Sequence, residues 1–245
     1  MSEQDPRLRR AIRGTIHRRL LINALVDPDE AAHHLPGGLR PHVSGEGTVV
    51  GCCLLSIDSI RPAGIPARFG SRLRAAAHRI SVEWDDDAGT SVGVYVPVRH
   101  TDSRPARMLG GRWFPGVHRR ATIEVAENEQ CLDWLVEPQE DADRFGIHVA
   151  ASIPSTAPVS PGEPIGGTCL AAAVGLSPDH RGVLEAARMD PDHRVAQLVE
   201  IDRIDSQFLA GFVSARPAPS YLMRDVDVRW TPARAPRIRA HEVSA

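Results

Sequence analysis

The chain contains no lysine: all 29 side chains counted as lysine or arginine are arginine. A guanidinium stays protonated and offers no usable amine. No side chain here can therefore form a Schiff base, serve as a P-loop lysine or hold pyridoxal phosphate as an aldimine. Arginine in place of lysine, with abundant Ala, Gly and Pro, reads as the product of a GC-rich genome. Aromatic residues are scarce at 4%, so the core must rest on Val, Leu, Ile and Ala within an apolar fraction of 42%. Of the four cysteines, Cys52, Cys53, Cys131 and Cys169, none lies in a Cys-x-x-Cys pair, which leaves zinc and redox motifs unsupported and free thiols in a reducing cytoplasm as the expectation. Cys52 and Cys53 on one strand would point to opposite faces. No long hydrophobic run is present; Leu20 to Val26 is too short for a membrane span or signal segment. The expectation is a soluble, cytoplasmic protein.

A formal charge of −2 does not favour nucleic acid. The basic stretches Arg7, Arg9, Arg10, Arg13, Arg18, Arg19 and Arg229, Arg234, Arg237, Arg239 lack interleaved stacking aromatics and read as solvated ends. There is no Gly-x-Ser-x-Gly elbow and no His-Glu-x-x-His helix. Gly45-Glu46-Gly47 with Gly51 precedes a strand instead of opening a helix, so it reads as a hairpin rather than a dinucleotide fingerprint.

What is present is mostly β. Leu20 to Val26 reads as a strand. Asp27-Pro28-Asp29-Glu30 reads as a helix start with Asp27 as cap, Pro28 at the first turn and Glu30 completing a capping box; Pro36-Gly37-Gly38 stops it near Leu35. Thr48 to Ile60 follows as a strand, then a Pro/Gly loop over 61–74. Residues 78–84 alternate, with His78, Ile80, Val82, Trp84 on one face and Arg79, Ser81, Glu83 on the other. Asp85 to Gly89 turns into a strand over Val92 to Val98. Thr122 to Val125, Cys131 to Val136, Ile147 to Ala150 and Val226 to Trp230 complete the set. The Pro-rich stretch 153–165 reads as a long loop, and Pro178-Asp179-His180-Arg181 and Pro191-Asp192-His193-Arg194 as turns. Short strands without βαβ repeats favour an antiparallel barrel in one domain over 13–232, with a flexible arm at 1–12 and a flexible tail at 233–245.

The run Gly110-Gly111-Arg112-Trp113-Phe114-Pro115-Gly116-Val117-His118-Arg119-Arg120 resembles the active-site turn of the acetoacetate decarboxylase superfamily, where a Gly-aromatic-Pro-Lys-Lys segment supplies the Schiff-base lysine. Leu35-Pro36-Gly37-Gly38-Leu39, the pair 77–84 and 93–103, and Leu222 to Trp230 are similar to further segments of acetoacetate-decarboxylase-like proteins. The resemblance spans roughly 18–230 and is strongest over 77–125. It implies a mainly β fold, a conical antiparallel β-barrel of the acetoacetate decarboxylase-like type with a few short helices, enclosing a small carbonyl or carboxylate ligand. Both the amine and a glutamate expected near Ala75 or Ala76 are missing. Which of Gly116 to Arg120 stands at the lysine position stays open.

On that turn His118 is the candidate acid/base, with Glu83 as alternative base. Arg79, Arg99 and Arg112 are candidates to bind a substrate carboxylate or stabilise an oxyanion. Tyr95 is expected to share a face with Arg99. Arg79, Glu83, Tyr95, Arg99 and His118 are expected inside the barrel, the apolar faces outward and hidden in a homo-oligomer. His100 and Asp102 fit a turn or a two-ligand metal fragment, and the fragment lacks a third ligand, so no metal and no cofactor is called for. Two functions follow: a lyase, isomerase or cyclase acting on an oxo-acid or polyketide-like carbonyl compound without a Schiff base, or a barrel that binds such a ligand without turnover.

Overall fold

The structure, a computed structural model, describes residues 3–4, 11–87, 89–111, 114–140, 143–155, 158–159, 174–193 and 195–240. Strands dominate. In chain order they are β1 (Glu3–Gln4), β2 (Ile12–Val26), β3 (Arg40–Pro41), β4 (Val43–Ser44), β5 (Gly47–Pro62), β6 (Ser71–Asp86), β7 (Gly89–Thr101), β8 (His118–Glu127), β9 (Cys131–Pro138), β10 (Ile147–Ser152), β11 (Val174–Pro178), β12 (Leu184–Pro191), β13 (Gln197–Ser206), β14 (Arg216–Ala233) and β15 (Ala235–Pro236). The helices among the described residues are short: α1 (Pro28–His33), α2 (Arg104–Leu109) and α3 (Gln207–Ala210). The mainly β architecture expected from the sequence is the one observed.

One large mixed sheet closes on itself. From β7, antiparallel pairings run through β6, β5, β2, β14, β12 and β11, and β11 returns to β7 by a parallel pairing. A second path leaves β7 by a parallel pairing with β8 and returns to β14 through β9, β10 and β13. Two rings thus share a wall made of β7, β6, β5, β2 and β14. A wall covered on both sides needs apolar residues on both faces, and it reads as near-continuous apolar runs instead of alternation. That is why Leu20–Val26 and Val49–Leu54 carry so little polarity, and why Cys52 and Cys53 enter different cores. Leu21, Cys53, Ala77, Val94, Val96, Ala187, Met223 and Trp230 pack inside the first ring. Leu20, Ile22, Cys52, Leu54 and Ala76 pack in the second against Ile123, Trp134 and Val149.

A third cluster, with Ile80, Val82, Trp84, Tyr95 and Leu176, lies outside the first ring and is covered by Leu39, Phe208, Phe212 and Ile238. The chain itself therefore hides the outward apolar face from which an oligomer was expected. Helix α1 starts at the Asp27 cap, whose carboxylate accepts the Asp29 N–H. Glu30 does not close a capping box; its carboxylate accepts the backbone N–H groups of Val213 and Ser214 and the Ser214 hydroxyl. The expected arm and tail include β1 and β15, which pair with each other.

One irregularity decides which side chains enter the first ring. His78 pairs with Val98 and Ile80 with Tyr95, so two steps on β6 are matched by three on β7. The extra residue falls at Val96–Pro97, where proline has no N–H to give the ladder. Beyond it the alternation is reversed. Tyr95 shares a rung with Ile80 and faces outward; Arg99 shares a rung with Ala77 and faces inward. The expectation that Tyr95 and Arg99 share a face fails because an uninterrupted period of two was assumed across Pro97.

Candidate functional site

The same edge of β7 serves both rings in succession. Gly93, Val94 and Tyr95 pair with β11, then Arg99, His100 and Thr101 pair with β8. The chain reaches this fork through α2, capped by Ser103, whose hydroxyl accepts the Ala106 N–H. A tight turn follows, with Gly111 at φ +68° and Gly116 at φ +84°. The Val117 N–H donates to the Pro178 carbonyl at 3.2 Å and ties the turn to the end of β11.

Five residues meet at the fork. Arg99 and His118 occupy one rung of the parallel pair, and Ser177 and Glu185 one rung of the antiparallel β11–β12 pair. Arg99 Nε donates to Ser177 Oγ at 3.0 Å. The Gly116 N–H donates to Glu185 Oε2 at 3.2 Å. His118 Nδ1 lies 3.1 Å from the Gly116 carbonyl. A carbonyl only accepts, so Nδ1 carries the hydrogen and Nε2 the lone pair. Gly110 makes room for this ring, since a Cβ there would stand 2.3 Å from His118 Nδ1.

Burial dominates the electrostatics. It lowers the Arg99 guanidinium to about 10. Burial first, and the charge of Arg99 second, lower His118 to about 3 against the opposing bond to Gly116. His118 is thus a neutral imidazole at neutral pH. Gly116, the residue after Phe114-Pro115, leaves no room for a side chain. A Cβ there would lie 2.5 Å from Ser177 Cβ and 3.1 Å from Arg99 Nε.

The other sequence candidates go elsewhere. Arg79 does face the first ring and is buried, but it reaches across Gly51 to the Asn23 side-chain oxygen. Glu83 stands at the end of β6 in an ion pair with Arg40 at 3.2 Å, with His42 at 3.5 Å. Tyr95 is buried in the outer cluster, and burial pushes its phenol up to about 12. Arg112 lies outside the described residues, as do Cys169 and most of the Pro-rich loop. Ser177 and Glu185 were missed: each sits on an ordinary short strand, and only the ring brings them to the turn. Arg19, expected on a solvated end, is buried, with Nε 3.4 Å from Cys53 Sγ and Nη1 3.6 Å from Met223 Sδ.

On the other side of the wall, in the second ring, a separate polar cluster is buried. His100 Nε2 is 2.8 Å from Asp143 Oδ2, and Arg119 Nη1 lies 3.4 Å from the same oxygen. His78 Nε2 meets the Phe145 carbonyl at 2.8 Å. His100, expected on a turn with Asp102, is instead a strand residue clamped to β8 through this carboxylate. Among the described residues no group of three His, Cys, Asp or Glu side chains is arranged to hold a metal ion. No described helix is long and apolar enough to cross a membrane.

No protein-family model and no curated protein matches the chain. Solved structures do. An acetoacetate decarboxylase from Legionella pneumophila is 11% identical, with a TM-score of 0.63 over 94% of this chain and 87% of that one. An acetoacetate decarboxylase-like enzyme from Sphingomonas wittichii is 13% identical, with a TM-score of 0.62 over 96% and 94%. The enduracididine biosynthesis enzyme MppR, in complex with pyruvate, is 10% identical, with a TM-score of 0.59 over 93% and 89%. At such identities the likeness speaks for architecture: the chain has the acetoacetate decarboxylase-like fold.

Proposed function

We propose that the chain is an enzyme that takes a small oxo-acid or related carbonyl compound at the fork of the two rings and moves its protons without a lysine Schiff base. The carrying observation is the rung that pairs Arg99 with His118: a desolvated cation next to a neutral imidazole whose Nε2 has no hydrogen-bond partner among the described residues. Among the described residues Arg99 gives Nε alone, to Ser177. In this reading its two terminal nitrogens receive a carboxylate in the forked geometry that guanidinium favours.

Proton transfer falls to His118. Burial first, and the charge of Arg99 second, hold its basicity down. A bound carboxylate offsets the second of these and makes Nε2 a better base than it is beside an unpaired Arg99. Nε2 then takes a proton from the carbon next to the carbonyl, and Arg99 stabilises the enolate oxygen that forms. Returning the proton to the same or another carbon gives exchange or isomerisation. Glu185, fixed by the Gly116 N–H, is the nearby carboxylate in place of Glu83. The low basicity of His118 favours a second reading, a barrel that binds the ligand without turnover.

Proton NMR of pyruvate or acetoacetate in D2O separates the two. Protein-dependent loss of the carbon-bound proton signal, abolished in His118→Leu and strongly reduced in Arg99→Gln, is expected of the enzyme. Saturable binding with no exchange leaves the binding protein, and neither binding nor exchange removes both readings.

A further inference from the structure

Resting on the reading of Arg99 and His118 as the ligand site, we infer that the ligand presents a hydroxyl beside its carboxylate, on the next carbon or one beyond, as an oxo-acid does in its enol form and the matching hydroxy acid does in every form. The argument is one of donors and acceptors. His118 Nδ1–H is committed to the Gly116 carbonyl, which fixes the tautomer. The ring is held in place by Gly110, where no side chain fits, and by Phe114, whose ring centroid is 5.7 Å from that of His118. Nε2 is therefore an acceptor in a fixed position, with no hydrogen-bond partner among the described residues. It wants a donor. A hydroxyl supplies one, and so does the enol form of an oxo-acid. A keto oxygen has none to give and would set lone pair against lone pair.

The neighbouring rung residue sets the other end of the ligand. Arg99 is all donor, so it takes the carboxylate. The two side chains lie on adjacent strands of one parallel pair, at directly paired positions on one face. A carboxylate on one and a hydroxyl on the other need only a short spacer. An acid lacking the hydroxyl leaves Nε2 facing a methyl group, and a dicarboxylate brings a second anion to an atom that has no proton to offer. One hydrogen bond in a half-buried site is worth about tenfold in affinity.

The test is calorimetric titration of the full chain with two matched pairs, lactate against propionate and 3-hydroxybutyrate against butyrate. In at least one pair the hydroxy acid is expected to bind about tenfold more tightly. The preference should hold from about pH 6 to about pH 8, since His118 stays neutral throughout. In His118→Leu the ratio should fall to about one, because the acceptor has gone. In Arg99→Gln every acid should weaken. Equal affinities in both pairs, or a preference that survives His118→Leu, overturns the inference while leaving Arg99 as the carboxylate holder. Failure of all four acids to bind overturns the site itself. The ratio is read first on the unaltered protein, so a variant that does not fold leaves the test standing.

Discussion

Replacing Gly116 by alanine tests the geometry of the turn with a single methyl group. Two costs add. At φ +84° an L side chain meets the backbone, a penalty of roughly 1–2 kcal/mol. The new Cβ would also stand 2.5 Å from Ser177 Cβ and 3.1 Å from Arg99 Nε, both held by the ring. Overpacking of this kind costs roughly 1–3 kcal/mol. The sum is about 3 kcal/mol, a large share of the ~5–15 kcal/mol that holds a domain together. For a chain of this size that is a fall in Tm of roughly 6–12 °C. Scanning calorimetry reads it directly. The two costs separate in a double-mutant cycle. Ser177→Gly removes the nearest atom, so adding it to Gly116→Ala should recover the overpacking part and leave the backbone part, a Tm intermediate between the two. If Gly116→Ala melts within about 2 °C of the parent, the turn does not have the conformation described and the packing of Arg99 over it is wrong.

The remaining expectations concern charge and covalent chemistry. His78 is fully buried and lowered to about 3, chiefly by burial and then by the nearby His100. The unfolded chain therefore binds the extra proton below the ordinary histidine value, and stability should fall with pH through that window, by about 1.5 kcal/mol between about pH 6.5 and about pH 5 from this residue. A Tm flat over that range would show that His78 is not buried as a neutral ring. Burial pushes the Asp143 carboxyl up, but the hydrogen bond and charge of His100, the Phe145 N–H and Arg119 together bring it down to about 2. Its contribution is present above the ordinary carboxylate value and is lost as pH falls toward 2. Asp143→Asn should cost about 3 kcal/mol at neutral pH and flatten the acid limb of the melting curve; an unchanged acid limb would refute the pairing. Borohydride treatment with pyruvate or acetoacetate should leave no mass increase on any side chain, and a reduced adduct on an internal residue would remove the non-covalent mechanism.

The strands were readable because their apolar runs are long and their turns carry Gly, Pro and Asp. The helix start at Asp27-Pro28 was readable for the same local reason. What local pattern cannot carry is pairing across the ring. Ser177 and Glu185 sit 78 and 69 positions from Arg99 and Gly116, their partners. Arg19 looked like part of a charged end because nothing near it in sequence announces the two sulfur atoms that receive it. Glu30 found the Val213–Ser214 backbone instead of its own helix because that segment folds back over α1. The reason Tyr95 faces away from Arg99 is present in the sequence: Pro97 in mid-strand is a signal for an inserted residue, and one such residue turns every later side chain over.

The shared wall gives the molecule a pair of built-in reporters. Cys52 and Cys53 are neighbours in the chain, yet one thiol sits in the second ring and the other in the first. Both are buried, and burial pushes the Cys52 thiol up, so neither reacts until its own chamber breathes. The labelling rates of two adjacent residues therefore time two separate openings. A small acid that settles at Arg99 should slow the labelling of Cys53 and leave Cys52 at its old rate, whereas a perturbation at Asp143 should do the reverse. If the shared wall lets the two rings open separately, the two labelling rates will respond separately to substitutions in one ring or the other.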